Sequence, residues 1–164
     1  MTRPAPAADI VDALTSRRET LAVAESLTGG ALTSAVVDVP GASAVLRGGV
    51  VAYATDLKHD LLGVDQALLA REGAVHPTVA TQMAEGVRSR LDATWGVATT
   101  GVAGPDVQDG QPPGTVHVAL AGPAGAAART LQLSGDRAQV RSLAVAAALE
   151  LLGRALGPVV QPTA

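Results

Sequence analysis

Apolar positions near the start of the chain fall at helical spacing. Ile10, Val11 and Leu14 predict a first helix over Asp9 to Arg18. Thr20 to Ala24 is a short continuous apolar run and predicts a buried strand. The turn Glu25 to Gly30 follows, then a helix over Ala31 to Val37, stopped by Pro40-Gly41. Val45 to Tyr53 predicts a second strand. Asp56 to Leu62 and Asp65 to Glu72 predict short helices ended by Gly63 and Gly73. Pro77 marks a helix start, and Val79 to Leu91 is amphipathic. Trp95 to Thr99 predicts a strand that enters a glycine-rich turn, and Asp106 to Pro113 is polar and predicts a loop. Gly114 to Ala121 and Ala127 to Leu133 predict a hairpin across Gly122-Pro123-Ala124-Gly125. Ser134 or Asp136 caps a last helix reaching about Leu152, and residues 157–164 are expected to fray.

Helices alternate with strands early and a hairpin comes late. That order predicts a single three-layer α/β/α domain with a mixed sheet over residues 1–164, its ordered core at about 8–155. Composition restricts the core to small aliphatic side chains. Hydrophobic residues are 48% of the chain, yet it has no Phe, one Trp and one Tyr.

Net charge is −3, so no basic field gathers a polyanion, and a stacking platform for bases is missing. No nucleic-acid partner is therefore expected. No apolar run reaches the ~18–20 residues of a membrane span, and the first six residues lack an apolar export core. A soluble, cytoplasmic protein is expected. Zero cysteines exclude disulfides, thiolate metal sites and a Cys nucleophile. His59, His76 and His117 do not stand at metal-ligand spacing, so no metal is expected. The apolar share of so small a chain favours a homo-oligomer.

Of the 12 basic residues only Lys58 is a lysine. An Ala- and Arg-rich composition explains why lysine is rare, but not why one remains. Arginine is always charged, whereas a lysine can lose its proton when its pKa is depressed. Four segments could carry chemistry. Ser26-Leu27-Thr28-Gly29-Gly30 joins a strand to a helix, where free amides and a bare turn suit an oxyanion or phosphate; an ordinary helix cap is the alternative. Tyr53 and Lys58 lie at a sheet edge, against the bland readings of a core ring and a solvated lysine. Thr100, Gly101 and Gly104 follow the third strand and suit a small polar ligand. Arg137 could clamp a phosphate; alternatively Asp136 caps the helix and both Arg137 and Arg141 face water. Three of these segments end neighbouring strands. A serine, a lone lysine and amide-rich turns converging there suggest a Ser–Lys hydrolase.

The string Ala24-Glu25-Ser26-Leu27-Thr28-Gly29-Gly30 resembles the A-E-S-C-T-G-G signature of the CinA C-terminal-domain family. The similarity continues through Pro40 to Ser43, Gly48 to Tyr53, Lys58, Gly73 to Val75 and Met83 to Gly86. It runs on through Gly101 to Pro105, Pro113 to Val116 and Gly135 to Arg137, covering roughly Ala8 to Leu152. The resemblance implies a nicotinamide mononucleotide deamidase of pyridine-nucleotide salvage, in its stand-alone form, with no cofactor. It places the nucleophile on Ser26, the partner lysine on Lys58 and the family tyrosine on Tyr53. It puts the second serine of a P-G-S-S turn on Ser43. Thr28, Gly29 and Gly30 become candidates for the oxyanion. Arg137 and the turn Thr100 to Gly104 become candidates for phosphate and ribose. A non-catalytic nucleotide- or partner-binding module of the same fold is the rival that the family's competence and damage association implies. The chain departs from the family pattern at Leu27, Ala54, Thr55 and His76. It departs most in Asp106 to Gly110, where a glycine pair is usual.

Overall fold

The computed structural model describes residues 7–157. The expected frayed tail therefore lies, from residue 158 on, outside the described residues. The elements run α1 (Ala7–Arg17), β1 (Leu21–Glu25), α2 (Ala31–Val37), a 3₁₀ turn (Ala42–Ala44), β2 (Leu46–Val51) and α3 (Thr55–Leu62). Then come α4 (Gln66–Glu72), α5 (Pro77–Arg90), β3 (Trp95–Gly101), β4 (Thr115–Gly122), β5 (Gly125–Gln132) and α6 (Arg137–Leu156). The five strands form one mixed sheet in the order β2-β1-β3-β4-β5. The first three are parallel, and β4 and β5 run antiparallel.

Strand alternation divides the core in two. Leu21, Val23, Val97, Val116, Val118 and Leu120 face a layer that includes α1, α2 and α6. Ala22, Ala24, Ala98, Ala119 and Ala121 face the layer of α3, α4 and α5. The alanine face explains how a chain without Phe fills its interior, because helices lie close on it. A methyl group added at Gly86 of α5 would collide with the Leu62 carbonyl, and one at Gly96 of β3 with the Ala84 carbonyl. Among the described residues, no helix is long and apolar enough to cross a membrane.

Several boundaries differ from expectation. β1 starts and ends one residue later than predicted, so Glu25 belongs to the strand. β2 stops at Val51, which leaves Tyr53 beyond it. β3 continues through Thr100 and Gly101, because both still pair with β4. The hairpin closes on Pro123-Ala124 alone, since Gly122 and Gly125 pair across it. α6 runs four residues past Leu152, because Leu152 and Leu156 continue its buried stripe. The 3₁₀ turn has no periodic signal in three residues.

Candidate active site

All three parallel strands end on the same side, and their C-terminal ends build the site. β1 alternation sends Glu25 toward α2, and Ser26 turns the opposite way, toward α3. Glu25 is fully buried. Its carboxylate accepts from Leu32 N–H (2.8 Å), Thr33 N–H (3.0 Å) and the Thr33 hydroxyl (2.6 Å). Those are orphan amides of the first turn of α2, which Gly30 leaves without a side-chain cap. The acid of the preceding strand thus anchors the helix that follows the turn. Ser26 N–H still donates to Thr99 O at 3.1 Å, so the serine is tied to β3. Thr28 and Thr99 share a buried hydroxyl contact of 2.7 Å.

Lys58 sits on the inner face of α3, one turn before Leu62, and is 1% exposed. The solvated-lysine reading fails because this face of the short helix is turned onto the sheet end. Lys58 Nζ donates to Ser26 Oγ at 3.0 Å, Ala52 O at 2.8 Å and Tyr53 O at 3.3 Å. Burial pulls its pKa from the ordinary 10.5 down to about 8, against Asp109 and Asp56, whose carboxylates pull it up. Carbonyls can only accept. A neutral Lys58 can give its two N–H groups to Ala52 O and Tyr53 O, which leaves its lone pair for the Ser26 hydroxyl.

Beside this pair lies a cavity of about 350 Å³, bounded by Ser26, Leu27, Tyr53, Ala74, Val75, the segment Thr100 to Gln108, and Arg137. The volume suits a small ligand. Tyr53 is 59% exposed and is not a core ring; its hydroxyl accepts from Arg137 Nη2 at 3.1 Å. Arg137 Nη1 also donates to Gly104 O at 2.8 Å, so this exposed arginine ties two parts of the rim together. Asp136 caps α6 in a capping box with Gln139, as expected. Thr100 is buried and its hydroxyl donates to Ala74 O at 2.8 Å. Gly101 and Gly104 line the cavity, and Gly104-Pro105 is a cis peptide.

The structure does not bring every candidate together. Ser43 lies in the 3₁₀ turn before β2, at the N-terminal ends of the parallel strands. Ser26 and Lys58 lie at the other ends, so Ser43 does not line the cavity. Gly29 N–H is occupied by Ser26 O at 3.0 Å, so it is not free for an oxyanion. Arg141 does not face water. Its Nε donates to Leu27 O and its Nη2 to Thr28 O, both at 2.9 Å. The sequence pattern assigns no functional role to Glu25 or Arg141, nor to Asp56 and Asp109, whose carboxylates act on Lys58. Glu25 had a signal, an acid between a strand and a helix. Arg141 had none, since its partners are more than a hundred residues away.

Comparison with known proteins agrees with this architecture. The CinA C-terminal domain model matches residues 4–156, so the chain belongs to that family. A CinA-like protein of Frankia casuarinae is 56% identical over 147 residues, covering 90% of this chain and 34% of that protein. The chain thus spans about a third of the length of the curated relatives it matches. A competence-damaged protein (CinA) superfamily structure from Klebsiella pneumoniae superposes with a TM-score of 0.88 at 31% identity, covering 92% of this chain and 94% of that one. The competence/damage inducible protein CihA from Agrobacterium tumefaciens gives 0.84 at 34% identity, covering 95% and 99%.

Proposed function

We propose that this CinA-family chain is an amidase that hydrolyses the carboxamide of nicotinamide mononucleotide to nicotinate mononucleotide and ammonia. The observation that carries the reading is the buried Lys58 amine, 3.0 Å from Ser26 Oγ, with its remaining positions on two carbonyls. In the first step Ser26 Oγ bonds to the carboxamide carbon while its proton passes to Lys58 Nζ. The tetrahedral species collapses as the C–N bond breaks. The Lys58 ammonium returns that proton to the leaving nitrogen, which departs as ammonia. Water then attacks the ester carbon and gives a proton to Lys58. The ester bond breaks, and the proton returns to Ser26 Oγ. Proton balance is kept by one amine, whose pKa near 8 suits a base that must also act as an acid.

The cavity supports the choice of substrate class. Arg137 stands on its rim with donors beyond the two it uses, so the phosphate is assigned there. The segment Thr100 to Gly104 lines the cavity beside this rim, so the ribose is assigned there. No cofactor is needed for this chemistry. Ammonia release from nicotinamide mononucleotide, with Ser26→Ala as control, tests the reading. Release that depends on Ser26 is the expected result. Binding of the mononucleotide without release would replace the amidase by a nucleotide-binding module.

A further inference from the structure

The three peptide groups after Ser26 are each held by the carbonyl. Ser26 O accepts from Gly29 N–H at 3.0 Å. Leu27 O accepts from Arg141 Nε, and Thr28 O from Arg141 Nη2 and from Ala31 N–H. In a trans peptide the N–H points opposite to its C=O. Fixing Ser26 O and Leu27 O therefore fixes where the N–H groups of Leu27 and Thr28 point. Neither N–H has an acceptor among the described residues, although Leu27 is 4% and Thr28 0% exposed. Buried amides without a partner are rare. Two in a row, directly after a serine hydroxyl held by a base, are the donors a developing oxyanion needs.

We infer that the N–H groups of Leu27 and Thr28 form the oxyanion site, and that Arg141 is the positioning residue that holds them from α6. The inference rests on Ser26 as the nucleophile. The guanidinium reaches both carbonyls with one planar fork, which an ammonium cannot do. Arg137, one turn earlier on α6, reaches the cavity rim instead. The two arginines thus divide the work, Arg137 on the ligand and Arg141 on the reacting centre. Leu27 packs its side chain into the hydrophobic core and offers its backbone to Arg141, so no thiol is required there.

The test uses p-nitrophenyl acetate, an activated ester that reports acylation without needing the nucleotide. Ser26 Oγ bonds to the acetyl carbon, Lys58 takes the hydroxyl proton, and p-nitrophenolate leaves. Mass spectrometry reads the acetyl group on Ser26, and absorbance reads the rate. Removing one oxyanion donor costs about 10²–10³ in rate. Arg141→Met should lie at the lower end of that range, and Arg141→Lys, with one carbonyl still held, between it and the parent. The apparent pKa of the reaction should stay near 8 in both, because Lys58 is untouched. Affinity for nicotinamide mononucleotide, measured by calorimetry in a Ser26→Ala background, should be unchanged by either substitution. Thermal melting accompanies each variant, and if Arg141→Met does not fold, Arg141→Lys decides. Acetylation at the parent rate, or a rate loss matched by an equal loss of nucleotide affinity, overturns the role. If the parent acetylates Ser26 but releases no ammonia from the mononucleotide, the substrate reading fails and the positioning role stands. If the folded parent is not acetylated at Ser26, the oxyanion site falls with its nucleophile.

Discussion

The cavity has two walls built on different physics. One is the β1–α2 turn with Lys58 behind it. Glu25, Ser26, Thr28 and Lys58 are all buried, and each side-chain polar group there has a partner. The other wall includes the loop from Pro105 to Gly110, where every residue is exposed. That loop pairs with itself through Gln108 and Gln111, and Asp109 ties it to Ala74 N–H at 2.8 Å. The buried wall fixes reacting atoms through the ends of three parallel strands. The exposed wall is held by a few contacts and can change without moving those atoms. The chain departs most from the family pattern on the exposed wall, where change leaves Ser26 and Lys58 in place. Substitutions on the first wall should therefore act on kcat, and those on the rim on KM or on pH dependence.

The sharpest break of this contrast is Ser26→Ala. Loss of a serine nucleophile costs on the order of 10⁶-fold in turnover, whereas one hydroxyl adds little to stability. Ammonia release should vanish with the melting curve nearly unmoved. A variant keeping a tenth of the activity would take the nucleophile away from the buried wall. Lys58→Arg comes next. Arginine keeps the charge but stays protonated at working pH, and the expected loss is roughly 10⁴-fold. In the parent, kcat/KM should rise with pH through an apparent pKa near 8 as Lys58 loses its proton. The sign follows from the role, since only the neutral amine accepts the serine proton. An active Lys58→Arg enzyme with the parent's profile would defeat the dyad.

Arg137→Ala probes the rim. Losing one charge-assisted contact costs about 1.5–3 kcal/mol, or roughly 10- to 150-fold in KM. The effect should fall on the mononucleotide and largely spare nicotinamide riboside, which lacks the phosphate. Equal losses on both would mean that Arg137 serves the rim only by bracing Tyr53 and Gly104.

How much of this was legible depends on the range of the contacts. Strand endings, glycine-stopped helices and the Asp136 cap are local, and composition and spacing reveal them. The pairing of Ser26 with Lys58 spans 32 residues, yet it was readable because both stand where parallel strands end. Ser43 shows the converse. It came from the resemblance alone, and strand direction puts it at the far end of the sheet. For Arg141 the sequence offers only the alternative of a water-facing side chain, because carbonyl acceptors carry no residue identity. Any residue at positions 27 and 28 presents the same oxygens, so nothing in the sequence marks the grip.

The smallest expected effect is the one that couples the two walls. Asp109 lies on the exposed loop, yet its carboxylate raises the Lys58 pKa across the cavity, as does Asp56 from α3 itself. Asp109→Asn removes the charge and keeps an oxygen of the same shape for Ala74 N–H, so the loop tie survives. Without that carboxylate the ammonium form of Lys58 is less favoured, and burial acts with less opposition. The rising limb of kcat/KM should then move to lower pH, while the plateau, set by Ser26 and the neutral amine, stays at the parent's level. Salt should shrink the difference between parent and variant, because an exposed carboxylate is screened. Asp56→Asn should move the limb the same way without touching the loop. If Asp109→Asn leaves the limb in place while Asp56→Asn shifts it, the exposed wall has no electrostatic hold on the base. If Asp109→Asn lowers the plateau, the loop helps to place the reacting atoms, and the division between the two walls is wrong.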